Sequence, residues 1–488
     1  MTHRSHQAGM ITLAEFIRFG VKTLIGIVLA RILLPGEFGS YRQLFLLYST
    51  FSALLLLGIP QSILYFLPKI SDAQQRKAYV GKIIDLTGFL ALVFCIVLIM
   101  ARGLVARSFS NPDLEILILI YAGYPVFMFI TQVFSFIMIS SNKADKAAKF
   151  TIFSVLTDAV LIIGTALYFR NLIPVLFGVM LAAFVQWTYA RVSLKNISCS
   201  SAWDRDFIRS QFRYSLPLGL SSIIGMLSMQ LDKFVISGFF TPEQFAVFSV
   251  GAMELPFITI FSNSINSVLL PGISSQDNTS EVAKIYRGAV RKNALIILPM
   301  ATLFFLFAEP IIVFLYSSRY IAAVPFFKVY TLILPLRIAT FGIIFMALGK
   351  TRQVLYNAVF TLTANLVLNL VLVRYMGMMG AALATVLVTW MAAALYVIWM
   401  KTKLHLKLSE FFHFPPLIRT AGACLGAGLT AYFAMMSIPH QLLSLTVAFC
   451  LFIGVYFLLG LWLKAILPYD IAIYKEFLSK LLHRGKGL

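Results

Sequence analysis

The sequence predicts an all-α integral membrane protein of about fourteen transmembrane helices: two pseudo-symmetric six-helix lobes followed by two C-terminal helices. Three observations lead there. Apolar runs recur at bilayer length, basic charge alternates between successive gaps, and one motif is repeated 207 residues apart. Of 488 residues, 60% are apolar and 12% charged, with mean hydropathy +0.89. A soluble domain carries about a quarter charged residues, so lipid must be the solvent of this surface.

A helical span needs about 20 mostly apolar residues. The candidates run 10–34, 42–67, 83–102, 115–140, 150–169, 172–193 and 214–238, then 245–270, 293–316, 323–348, 353–373, 378–400, 416–436 and 441–466. The longest hydrophilic gap, Arg191 to Arg213, is too short for a soluble domain. Strict alternation of apolar and polar residues is absent, which excludes a transmembrane barrel. The basic residues before Ile11 are followed by no small-residue cleavage site, so the first run reads as an uncleaved span.

Lys and Arg set the orientation. One series of gaps holds Lys69, Arg76, Lys77 and Lys82; Lys143, Lys146 and Lys149; Arg191, Lys195, Arg205 and Arg209; and, further on, Lys284 to Lys292, Lys350, Arg352, Lys401, Lys403 and Lys407. The alternate gaps hold only Arg102, Arg107, Arg170, Arg319 and Arg374. The basic side is therefore expected to be cytoplasmic, with both termini inside and an even span count. The net charge of +21 sits in these gaps and forms no solvated stripe, so nucleic acid is not an expected partner.

The repeat divides the chain. Leu34-Pro35-Gly36-Glu37-Phe38-Gly39-Ser40-Tyr41 returns as Thr241-Pro242-Glu243-Gln244-Phe245-Ala246-Val247-Phe248, and Leu67-Pro68-Lys69-Ile70-Ser71 returns as Leu270-Pro271-Gly272-Ile273-Ser274. Six spans per repeat keep the orientation, so the repeats are parallel. The expected organisation is an N-terminal lobe at 1–207, a C-terminal lobe at 208–410, and residues 411–488 for the last two spans and a cytoplasmic tail.

Ionisable groups in lipid are costly and normally face a bundle interior or wet cavity. Glu15, Arg18, Lys22 and Gly26 fall within about 80° of the first helix. Lys22 lies deepest and reads as a cavity cation; snorkelling toward the interface is the competing account, chiefly for Glu15. Arg31 fits an interfacial anchor or a ligand contact equally well. The seventh span carries Ser221, Gly225, Ser228 and Asp232 on one stripe, with Lys233 adjacent; a helix seam and a polar site both fit. The fifth carries Thr151, Ser154, Asp158 and Thr165, the eleventh Asn357, Thr361 and Asn365, and the repeat superposes Asp158 on Asn365. Lys328, Arg337 and Glu254 complete the set, Arg337 the deepest.

Other chemistry is missing from the sequence. The cysteines Cys95, Cys199, Cys424 and Cys450 share no ligand spacing and suggest neither metal nor disulfide. His3, His6, His405, His413, His440 and His483 are scattered, and no Walker loop or HExxH occurs. No cofactor and no enzymatic activity are expected.

The stretches Ala30–Gly39, Tyr214–Leu220 through Asp232-Lys233, and Gly377 with Gly380–Thr385 resemble the first, seventh and twelfth helices of polysaccharide (Wzx-type) flippases, members of the multidrug/oligosaccharidyl-lipid/polysaccharide exporter superfamily. The similarity runs in order over essentially the whole chain; Ala246 and Phe248 depart from it where Gly and Tyr are usual. The resemblance implies two lobes around a central cavity opening alternately to each side. It implies as cargo a polyprenyl-diphosphate-linked oligosaccharide flipped across the bacterial cytoplasmic membrane for surface or capsular polysaccharide. Arg18 and Lys22 would meet its diphosphate. The lipid tail would stay in the bilayer between the first and eighth helices. Coupling to Na+ or H+ gradients or to the membrane potential, and hand-over to polysaccharide polymerase machinery, are left open. Two other readings compete. A multidrug or cation antiporter of the same superfamily would need unpaired buried carboxylates, and a glycan polymerase or ligase would need a sizeable outer loop.

Overall fold

The computed structural model describes residues 2–199, 203–253, 269–270, 272–274, 279–404, 407–438 and 441–467. Glu254, Pro271, His405, His440, His483 and most of the eighth candidate span lie outside them, as does the side chain of Ser221. Among the described residues every regular element is a helix, as bilayer solvation requires.

Two compact units emerge. Unit 1 comprises Met1–Val250, Leu315–Ala322 and Thr361–Ala381; unit 2 comprises Gly251–Phe314, Ala323–Phe360 and Ala382–Leu488. In chain order the first holds α1 (Thr2–Ile32), α2 (Pro35–Leu56), α3 (Ile59–Phe66), α4 (Ala73–Ser108), α5 (Leu114–Tyr121), α6 (Tyr124–Ser140), α7 (Ala144–Asp158), α8 (Gly164–Phe169), α9 (Leu172–Leu194) and α10 (Arg205–Phe239), with α11 (Pro242–Gly251) closing it. There follow α12 (Thr279–Leu306), α13 (Ala308–Tyr316), α14 (Val324–Thr331), α15 (Phe341–Ala347), α16 (Thr351–Met376), α17 (Met378–Lys403), α18 (Leu408–Phe411), α19 (Phe414–Ser437) and α20 (Gln441–Trp462). The last residues of α16 belong to unit 1 and its first to unit 2.

Nine helices among the described residues are long and apolar enough to cross a membrane, or eleven if two bent pairs each count as one span. The first bent pair, α5 with α6, turns by 48°; the second, Ser318–Thr331 with Leu334–Ala347, turns by 40°. Both breaks have a proline in the first turn of the following helix, Pro125 and Pro335, where the missing N–H costs nothing. α1 and α10 meet the length, at 31 and 35 residues or roughly 46 and 52 Å. Charge keeps α1 from the count, with Glu15, Arg18, Lys22 and Arg31 along it. Where a single span was expected at 42–67, the helix jogs at Leu57 (φ 43°) and Gly58 (φ 75°).

The repeated motif is a helix start. Pro35 and Pro242 occupy the first helical positions of α2 and α11. Glu37 accepts the Leu34 N–H at 3.1 Å, and Gln244 accepts the Thr241 N–H at 3.1 Å while giving its own N–H to Thr241 Oγ1 at 3.3 Å. The second arrangement is a capping box. Inside unit 1, a Cβ on Gly39 would lie 1.8 Å from the Pro242 carbonyl oxygen, so the two copies of the motif touch where the first lacks a side chain.

Unit 1 packs its core around Ile59, Ile63, Ile83, Val133, Phe134 and Ile137 on α3, α4 and α6. Unit 2 has a core around Tyr286, Ile344, Phe345 and Phe411, and a second joining α19 and α20 to α12.

Candidate functional site

The polar groups picked out on the first and fifth spans meet inside unit 1. α1 packs along α7 and the segment after it. Glu15 and Arg18 form an ion pair one turn apart on α1, each about half exposed. Lys22 lies within electrostatic range of Asp158, Arg18 and Glu15. Asp158 ends α7 immediately before a π-helical segment, Ala159–Ile163. Such a bulge turns the helix's side chains relative to an ideal α ladder, and bulges of this kind recur at functional sites. The Asp158 carboxylate accepts a 2.6 Å hydrogen bond from Gln186 Nε2 on α9, and Gln186 is itself buried.

Three tyrosines lie near the carboxylate, and a fourth packs on one of them. Tyr41, Tyr121 and Tyr124 are in electrostatic range of Asp158, and Tyr48 packs on Tyr124 with ring centroids 4.7 Å apart. Tyr121 stacks on Tyr124 at the same distance, while Tyr48 Oη accepts from Gln132 Nε2 at 2.7 Å. Arg42, next to Tyr41 on α2, is half-buried and acts electrostatically on Tyr41 and Tyr316. The sequence reading passed over Arg42, the tyrosines, Gln132 and Gln186. Arg42 is the first residue of the apolar run 42–67; the others are ordinary membrane-helix residues until the fold collects them.

A second polar set joins α10 to the last part of α16, also in unit 1. Asn365 Nδ2 donates to the Ser228 carbonyl at 2.8 Å, and Asn369 Nδ2 donates to Asn365 Oδ1 at 2.7 Å. Asp232, one turn beyond Ser228, is 2% exposed, and its carboxylate accepts the Lys233 backbone N–H at 2.7 Å. Lys233 turns its ammonium to Gln230 at 3.1 Å. Among the described residues, the hydroxyl of Ser228 and Oδ1 of Asn369 are buried without a hydrogen-bond partner. The two helices thus carry a buried carboxylate together with amide and hydroxyl oxygens.

Arg337 stands elsewhere: it is exposed, in unit 2, on the 3-10 turn Leu334–Ile338 between α14 and α15. Lys328, also in unit 2, sits 5.7 Å from the Phe305 ring centre. Arg31 donates from Nε to the Leu315 carbonyl at 2.9 Å within unit 1. Glu254 lies outside the described residues. A purely structural network, Gln43 with Ser237, Asn111 and Ser40, clamps α2 to α10 and to the loop after α4 with bonds of 2.6–2.9 Å.

A family model described as "Polysaccharide biosynthesis protein" matches residues 28–325. An uncharacterized membrane protein of Methanocaldococcus jannaschii is 21% identical over 97% of both chains. The probable low-salt glycan biosynthesis flippase Agl15 of Haloferax volcanii is 24% identical over 41% of this chain and 43% of its own. Among solved structures, the lipid II flippase MurJ in an inward closed conformation superposes with TM-score 0.75 at 15% identity, over 93% of this chain and 99% of that one. An inward-facing multidrug resistance MATE family transporter of the MOP superfamily gives 0.66 at 16% identity, over 80% and 94%. These last two establish the fold.

Proposed function

Because this chain belongs to the polysaccharide biosynthesis protein family, we propose that it is a flippase for a polyprenyl-diphosphate-linked oligosaccharide. It works in the bacterial cytoplasmic membrane, with both termini inside, and serves surface or capsular polysaccharide. The carrying observation is the unit 1 cluster in which Lys22, Tyr41 and Tyr124 lie within electrostatic range of Asp158, with Arg42 beside Tyr41. Cations suit a diphosphate. Tyrosine rings and amide groups suit sugar faces and hydroxyls. Arg18, paired to Glu15, serves as an outer contact. The names of the Haloferax volcanii and lipid II relatives support a flipped, lipid-linked glycan and a transporter rather than an enzyme.

Transport proceeds by alternating access of an N-terminal and a C-terminal lobe, with the prenyl tail remaining in membrane lipid, and polysaccharide polymerase machinery takes the product. The Asp232, Asn365 and Asn369 seam is suited to bind the coupling cation, and Lys233 beside it to meet the substrate. A cation antiporter is the second reading, favoured by the partly buried carboxylate of Asp158.

Deletion followed by analysis of lipid-linked intermediates tests the reading. Accumulation of one polyprenyl-diphosphate glycan is expected. A Lys22→Ala/Arg42→Ala double variant should lose export by about tenfold or more while remaining in the membrane, the scale of losing one charge-assisted contact. Normal surface glycan in the deletion, with drug sensitivity instead, favours the antiporter.

A further inference from the structure

A cavity of about 440 Å³ opens on unit 1 between α4, α6, α9 and the segment before α10. Its floor is Ile84, Gly88, Val126 and Ile130; its rim is Asp85, Arg191, Trp187 and Trp203. The rim is held in place by chemistry of its own. Lys82, one turn before Asp85, bridges to Asp204, which brings the neighbouring Trp203 over α4, where it packs edge-on against Phe89 with ring centroids 5.7 Å apart. Trp187 is fixed by Phe127 and Phe184 at 5.8 and 5.9 Å. A Cβ on Gly88 would meet nothing within 4 Å, so the glycine leaves space there that no other residue fills.

Asp85 and Arg191 are both exposed on this rim, and among the described residues neither pairs with the other nor with any other group. Opposite charges that line one cavity without pairing suit a dipolar guest. Arg191 lies in the last turn of α9, at the level where a membrane helix meets headgroups, and aromatic walls suit that depth. We propose that this cavity binds the headgroup of a zwitterionic phospholipid bearing a primary amine, an ethanolamine phospholipid.

The Arg191 guanidinium takes the phosphate. The Asp85 carboxylate accepts N–H donors from the ammonium, which also faces the indole rings. The upper parts of the acyl chains lie on Ile84, Val126 and Ile130. Asp85 disfavours a net-anionic headgroup by like-charge repulsion, and a choline headgroup offers the carboxylate no N–H. The charge pattern of the loops places this lipid in the cytoplasmic leaflet. The site is built from residues separate from the Lys22 and Asp158 cluster and does not depend on the transport reading.

Native mass spectrometry of the full chain, released from nanodiscs of equal parts phosphatidylethanolamine, phosphatidylglycerol and phosphatidylcholine, tests it. The wild type should retain phosphatidylethanolamine over phosphatidylglycerol by about tenfold, the worth of one charge-assisted contact. Asp85→Asn should erase that preference, and Arg191→Gln should lower retention of all three lipids. Gly88→Leu, which grows into open space, should block retention without lowering the melting temperature. Equal retention of the three lipids by the wild type, or an unchanged preference in Asp85→Asn and Gly88→Leu, overturns the proposal.

Discussion

At the scale of single residues, charge in this protein has three distinct fates. Glu15 and Arg18 neutralise each other at a half-exposed site, where the pair is worth little. Lys22 and Asp158 lie within electrostatic range of one another inside unit 1. Asp204 does structural work outside the spans. It caps α10 by accepting the Phe207 N–H at 2.6 Å and binds Lys82. The Lys82 bond, then the Phe207 N–H, hold its carboxyl below the ordinary carboxylate range. A depressed folded-state value contributes stability above the unfolded pKa of about 3.9, lost as pH falls through the folded value. Asp204→Asn is therefore expected to lower the melting temperature at neutral pH, with the difference from wild type shrinking below about pH 4. A constant difference from pH 7 to pH 3 would show that the carboxylate charge plays no part.

At the scale of elements, the repeated motif has a clear job. Pro at the first helical position with Glu or Gln two residues on starts α2 and α11, and that chemistry can be read from the residue types and their order. Close backbone approach cannot be read that way. Gly39 meets Pro242, and a Cβ on Gly219 of α10 would lie 2.4 Å from the Leu57 carbonyl carbon at the α2 jog. Gly39→Ala or Gly219→Ala should each destabilise the folded protein by about 1–3 kcal/mol, the usual cost of overpacking, read as lost monodispersity and a lower melting temperature in detergent. Gly26→Ala serves as the control, since its Cβ meets nothing within 4 Å. The π segment after Asp158 is likewise invisible in Ala159–Ile163, five ordinary apolar residues whose sequence differs in nothing from regular helix.

At the scale of the whole molecule, the proposed cycle needs an energy source, and the polar seam supplies a test of which one. If Asp232, Asn365 and Asn369 hold the coupling cation, Asp232→Asn should reduce export in cells by about tenfold or more while Lys233→Ala leaves more of it intact. Collapse of the matching ion gradient should have little further effect on Asp232→Asn. Equal inhibition of wild type and Asp232→Asn by gradient collapse would place the coupling site elsewhere.

Much of this is legible in the sequence. Apolar runs of bilayer length dictate helices, because a backbone in lipid must satisfy its own hydrogen bonds. The stripe on α1 and Asp158 on α7 stood out because a charge inside an apolar run is costly and therefore placed for a reason. Their approach, with Gln186 and the tyrosines beside Asp158, was decided by tertiary structure: neutral polar residues carry no such cost, so their positions in the sequence leave no mark. Arg337 shows the same limit from the other side, deep in an apolar run yet exposed on a broken helix of unit 2. Sequence alone determined that this protein is helical, lives in lipid and repeats itself, since those follow from solvation and from residue order. Which polar groups share a cavity depends on helix rotation, breaks and close approach, and those are set by packing between segments far apart in the chain.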